Sequence, residues 1–155
     1  MNEIRTVWQN TDNPFILRQF IGDSELGWKV AWSDRMISLY GGIWFFGLIW
    51  GLLPRKARDV SIWFFILFAL PMAVDGLTHL ISDINGLTNG FRYTNDWLAY
   101  LTRNALPQSF YVGDGLGSFN SWMRWVTGFL FSFGLVWWVF PLLDEQFGQN
   151  KSAKD

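Results

Sequence analysis

The chain has 155 residues, half of them hydrophobic and 19% aromatic, with a formal net charge of −1 and no cysteine. That length holds one domain at most, and the near-neutral charge excludes a nucleic-acid surface, which needs a basic face to neutralise phosphates. The absence of cysteine excludes disulfides, thiolate metal sites, iron–sulfur clusters and cysteine nucleophiles together.

The N-terminal stretch MNEIRTVWQNTDNPF lacks a basic region followed by an apolar core, so no cleaved signal peptide is expected and insertion depends on internal segments. Asn13-Pro14 followed by FILRQFI predicts a short capped helix with proline at its first position. Residues 1–35 read as an interfacial N-terminal segment. The first charge-free block, residues 36–53, is about as long as the hydrocarbon core requires, and the basic turn PRKARD ends it. The second, residues 60–82, carries Pro71 in its middle and Asp75 and His79 beyond it. The third, residues 122–143, carries only Arg124 near its start. As core helices of a soluble protein these three runs would leave too little polar chain to cover them. The expected fold is therefore an all-α integral membrane domain over residues 36–143, with three transmembrane helices, short interfacial helices and a polar tail at 144–155.

Tryptophans fall near the ends of the blocks. Trp28, Trp32, Trp122 and Trp125 stand near one set, and Trp63, Trp137 and Trp138 near the other, as indoles at two lipid–water interfaces do. Gly47 with Gly51, and Gly128 with Ser132, have the small-xxx-small spacing that lets helices approach closely. The connection 83–121 does not span. Residues 94–104 place Trp97, Leu98 and Leu101 on one face and predict a helix lying at the membrane surface. GDGLGSFN lacks the ending of a phosphate loop and reads as a flexible lead-in to the third span, with Ser118, Asn120 or Ser121 as its cap. Arg55, Lys56 and Arg58 crowd the short turn between the first two spans, which favours an outside N-terminus in a cell membrane.

Counting from that turn at about 1.5 Å per residue puts Arg35, His79 and Arg124 roughly 28 Å away and Asp75 about 22 Å. Asp34, Arg35, Asp75, His79, Asn120 and Arg124 then collect in one polar layer at the outer edge of the bilayer, with Asp83 one turn beyond His79. A lone carboxylate at such depth costs about 2.5 to 3.5 kcal/mol on insertion scales, and Arg35 and Arg124 are the available partners. If Asp75 pairs with an arginine, His79 and Asp83, nearer the interface, can wet their side chains there. The layer reads either as paired charges locking the bundle or as a wet pocket for a polar ligand, proton or metal. Two or three ligands without cysteine or a second histidine make a poor zinc site, so no metal or cofactor is expected.

VAWSDRMISLYGG before the first span, PMAVDGLTHL in the second and NSWMRWVTG opening the third resemble the bacterial and archaeal membrane proteins of domain-of-unknown-function family 2085. The shared elements are Arg35 and Tyr40, Asp75-Gly76, and Asn120, Arg124 and Gly128; Ser33 and Met36 stand where many members carry cysteines. The resemblance implies a three-span membrane fold and brings no activity with it. Three functions fit the residues: a non-catalytic subunit or assembly factor contacting lipid and other membrane subunits or a second copy; a small membrane enzyme or ligand-binding protein acting through Asp75, His79, Arg35 and Arg124; or an oligomeric transporter. No nucleophile–base constellation is legible, which places the first ahead.

Three crossings put residues 83–121 on the side opposite the PRKARD turn. Single cysteines at Lys56 and Asn104, labelled with an impermeant maleimide, should react from opposite faces of sealed vesicles. Reaction of both from the same face would contradict three spans.

Overall fold

A computed structural model describes residues 22–24, 27–28, 33–53, 60–84 and 90–152. The helix expected after Pro14 and the PRKARD turn lie outside these residues. Gly22–Asp23 (β1) pairs antiparallel with Gly27–Trp28 (β2), and everything else regular is helical: α1 Asp34–Leu52, α2 Ile62–Ile84, α3 Phe91–Thr94, α4 Asp96–Leu101, α5 Gln108–Tyr111 and α6 Phe119–Ser152. Three of these helices, α1, α2 and α6, are long and apolar enough to cross a membrane.

The helices outrun the apolar blocks for local reasons. Helix α1 begins at Asp34, two residues before the charge-free run, because a carboxylate in the first turn favourably meets the positive end of the helix dipole. Helix α6 takes in Asn120 and Ser121 at its start and continues past Pro141 to Ser152. At about 1.5 Å per residue, its 34 residues make a rod of roughly 51 Å, longer than the ~30 Å hydrocarbon layer. Pro71 lies inside α2, which continues without its fourth-preceding amide bond. The surface helix expected over 94–104 is only six residues long: Asn95 takes the left-handed conformation (φ 46°) at its start, and Thr102 to Asn104 turn away at its end.

The chain divides into two compact units, Asp34–Gly76 with Ser121–Asp155, and Met1–Ser33 with Leu77–Asn120. In the first, α1 and α6 meet through small residues used reciprocally. A Cβ at Gly42 would stand 2.7 Å from Ser132 Oγ, and one at Gly128 would overlap Ser38 Oγ. Ser132 Oγ lies 2.7 Å from the Leu39 carbonyl, and Ser38 Oγ lies 3.1 Å from the Arg124 carbonyl. Residue numbers rise together along the two contacts, so α1 and α6 run parallel. Helix α2 runs against them: Phe68 packs on Gly134, and Phe65 stacks on Trp138 at 5.2 Å. This alternation is the one that three successive crossings require.

The interior is small and polar where a soluble protein would be apolar. Ser38, Thr127 and Ser132 are fully buried, whereas Trp44, Leu67 and Trp63 are mostly exposed. With lipid outside there is no hydrophobic gain from hiding leucines, and close backbone approach with interhelical hydrogen bonds takes over. Toward the far end of α1, Phe46, Trp50, Phe64, Phe68, Phe133 and Trp137 interlock at ring separations of 4.4 to 6.1 Å. Trp137 thus packs among rings of the bundle, as does Trp138 on Phe65. Gly51, expected to join a close contact with Gly47, is exposed, and a Cβ there would meet nothing within 4 Å.

Gly128→Ala should therefore destabilise the protein by about 1 to 3 kcal/mol, the usual cost of overpacking. Gly51→Ala should leave stability unchanged or raise it by up to about 1 kcal/mol through helix propensity. Thermal melts in detergent check both; equal responses would contradict the α1–α6 contact.

Candidate functional site

Each unit holds its own set of buried polar groups. In the unit of long helices, the centre is Asp75, 3% exposed on α2. Arg35 Nη2 on α1 donates to its Oδ2 at 2.5 Å. The guanidinium lies against Gly76, the next residue along α2, where a Cβ would stand 3.6 Å from Nη1. Neighbouring groups fix the turn that carries Arg35. Ser121 Oγ at the start of α6 donates to Asp34 at 2.8 Å, and Ser38 Oγ sits 3.0 Å from the Arg35 carbonyl and 3.1 Å from that of Arg124. Charge-assisted bonds are shorter and stronger than neutral ones, so the Arg35–Asp75 contact dominates this set.

The other unit is built around Arg92, in α3. Its backbone amide donates to Ser82 Oγ on α2 at 3.0 Å, and Gly90 lies so close to Ser82 that any Cβ there would overlap it. The Arg92 guanidinium lies 3.2 Å from His79 Nε2. Arginine has no lone pair to offer, so the hydrogen belongs to Arg92 and the imidazole carries its own proton on Nδ1. The guanidinium also lies 5.5 Å from the centre of the Phe119 ring, an arrangement its charge favours. His79 therefore meets a cation from the connecting segment.

Two asparagines organise the same unit. Asn95 Nδ2 donates to the Arg92 and Tyr111 carbonyls, both at 2.7 Å, and Asn120 Nδ2 donates to the Arg92 and Gly113 carbonyls at 2.6 and 3.1 Å. Both side chains are fully buried. Buried carbonyls of irregular chain need donors, and an amide with two N–H groups can serve two of them. Tyr111, 3% exposed, brings its hydroxyl to Thr102 Oγ1 at 2.5 Å and to the Leu106 amide at 3.0 Å.

Of the residues singled out from sequence, Arg35 and Asp75 meet, Asp34 meets Ser121, and Arg124 contributes its carbonyl to Ser38. Asn120 and His79 are engaged with the connecting segment, and Asp83 is half-buried one helical turn beyond His79. Sequence reasoning missed Arg92, Asn95 and Tyr111. The available signal was FRYTN: an arginine between aromatics, followed by an asparagine able to take a left-handed turn. Chemically, these groups bind backbone and each other. The hydroxyls of Ser38, Ser82, Ser121, Thr127 and Ser132 accept from an amide or donate to carbonyls or a carboxylate, and among the described residues no three His, Asp or Glu side chains gather as metal ligands would.

The family model for predicted membrane proteins designated DUF2085 matches residues 24–138. No curated protein and no solved structure matches the chain. The matched span covers most of the chain, the first two candidate membrane helices in full, the third as far as residue 138, and every polar side chain of the two sets described above, and the protein belongs to the DUF2085 family of predicted membrane proteins.

Proposed function

We propose that this protein is a non-catalytic component of a membrane protein complex, held in the cell membrane with its N-terminus outside. The observation that carries this reading is the Arg35–Asp75 pair. The group hardest to place in lipid, the Asp75 carboxylate, is met by a cation from the neighbouring helix. A charge used in this way fixes helix register and commits the carboxylate to a neighbouring side chain. The bundle then offers partners its wide aromatic and aliphatic exterior, with Trp44, Phe45 and Leu48 along one exposed side of α1.

A second reading, a membrane-embedded enzyme or ligand-binding protein using Arg35, Asp75, His79 and Arg124, is favoured by one detail. The Arg35 side chain is 30% exposed, and its buried Nε has no hydrogen-bond partner. An anion at the exposed part would give the guanidinium a second partner beside Asp75.

Purification in mild detergent from native membranes, with mass spectrometry of everything that co-elutes, separates the two. The expected outcome is a stable assembly containing other membrane subunits. Isolation of the protein alone with a stoichiometric lipid or metal would overturn it in favour of the ligand-binding reading.

A further inference from the structure

Within the unit Leu77–Asn120, the segment after α3 shows apolar side chains to its surroundings where a loop in water would show polar ones. Tyr100 is 87% exposed, Leu101 71%, Leu116 85% and Trp97 49%. Helix α4, from which three of them project, has six residues and a length of roughly 9 Å, far too short to cross a bilayer.

The exposed side chains are mounted on a braced turn. The Thr102 amide bonds to the Leu98 carbonyl at 2.9 Å and the Asn104 amide to the Ala99 carbonyl at 2.8 Å. Thr102 Oγ1 adds a bond to Leu98 O at 2.8 Å, and the buried Tyr111 hydroxyl joins Thr102 to the Leu106 amide. These bonds hold Arg103 and Asn104 in the left-handed region, at φ 52° and 54°. Asparagine accepts that conformation readily; arginine adopts it only where the surroundings impose it. The turn thereby presents Tyr100, Leu101 and Leu106 beside exposed Arg103 with little ordering left to be lost on binding.

Leucine, tyrosine and tryptophan around one exposed arginine form the combination that settles at the boundary of acyl chains and phosphates. The occupant is determined by where the segment is tied. It leaves α2 and enters α6, both long and apolar enough to span, and Leu80, Ile81 and Ile84 on the last turns of α2 are exposed in the same unit. A tethered patch needs little affinity of its own, because the spans hold it at high effective concentration beside the lipid surface. We propose that the turn 97–106, together with Leu116, is a phospholipid-binding anchor. Tyr100, Leu101 and Leu116 enter the upper acyl region, and Arg103 bonds a lipid phosphate. This goes beyond the role in a complex and does not depend on it.

The test uses the full chain with single cysteines at Leu101, Leu116 and, as a polar reference, the exposed Ser109, each carrying a nitroxide in vesicles of phosphatidylcholine and phosphatidylglycerol. Power saturation compares collisions with oxygen, which concentrates in acyl chains, and with a water-soluble nickel chelate. The expected result is an oxygen-to-nickel accessibility ratio several-fold higher at 101 and 116 than at 109, with Arg103→Glu lowering the ratio at 101. Ratios at 101 and 116 equal to that at 109 would overturn the proposal. So would shielding of 101 and 116 from both reagents, which would indicate a protein partner on this surface.

Discussion

A carboxylate lies within a stretch of α2, residues 62–77, whose other side chains suit lipid, and much else in the unit of long helices follows from what Asp75 requires. Alone at depth it costs about 2.5 to 3.5 kcal/mol. Arg35 must therefore stand at one level with it, which fixes the register of α1 against α2. The turn bearing Arg35 is held in place by α6: Ser121 bonds Asp34, and Ser38 reaches the Arg124 carbonyl while filling the space left by the absent side chain of Gly128. One ion pair thus depends on all three long helices, and each has a stake in the others' register.

The packing that supports the pair uses few apolar groups. Where lipid tails are as apolar as leucine, helices gain by approaching closely enough for dispersion contacts and interhelical hydrogen bonds. The reciprocal arrangement of Ser38 on Gly128 and Ser132 on Gly42 does both at once, two turns of parallel helix brought together with each hydroxyl reaching a carbonyl across the contact. Further along, where no charge needs a partner, the space is filled by phenylalanine and tryptophan rings.

The sequence made the three long helices legible because charge-free runs of that length have few other uses. It also pointed to Arg35 and Asp75, since an acid in such a run needs a partner and few cations stand at its depth. The helix ends were less legible. Polar residues after Leu143 are as compatible with helix as with tail, and hydropathy does not report the difference. Least legible was the network around Arg92, Asn95 and Tyr111. Its bonds join side chains to backbone carbonyls up to 28 residues away, and those pairings exist only once the segment has folded. His79 shows the limit well: depth alone did not reveal that a guanidinium contributed by α3 stands beside it.

The claim on which the account rests is that Asp75 and Arg35 stabilise the bundle as a pair, and a double-mutant cycle followed by thermal melts in detergent measures it directly. Removing one member of a buried pair typically costs about 3 to 5 kcal/mol, and the partial exposure of Arg35 places the expected loss for Asp75→Ala toward the lower end. Adding Arg35→Ala should restore part of that loss, because the uncompensated cation leaves with it. A full loss of stability in the double mutant equal to the sum of the two single losses, or no loss on replacing Asp75, would contradict the pairing.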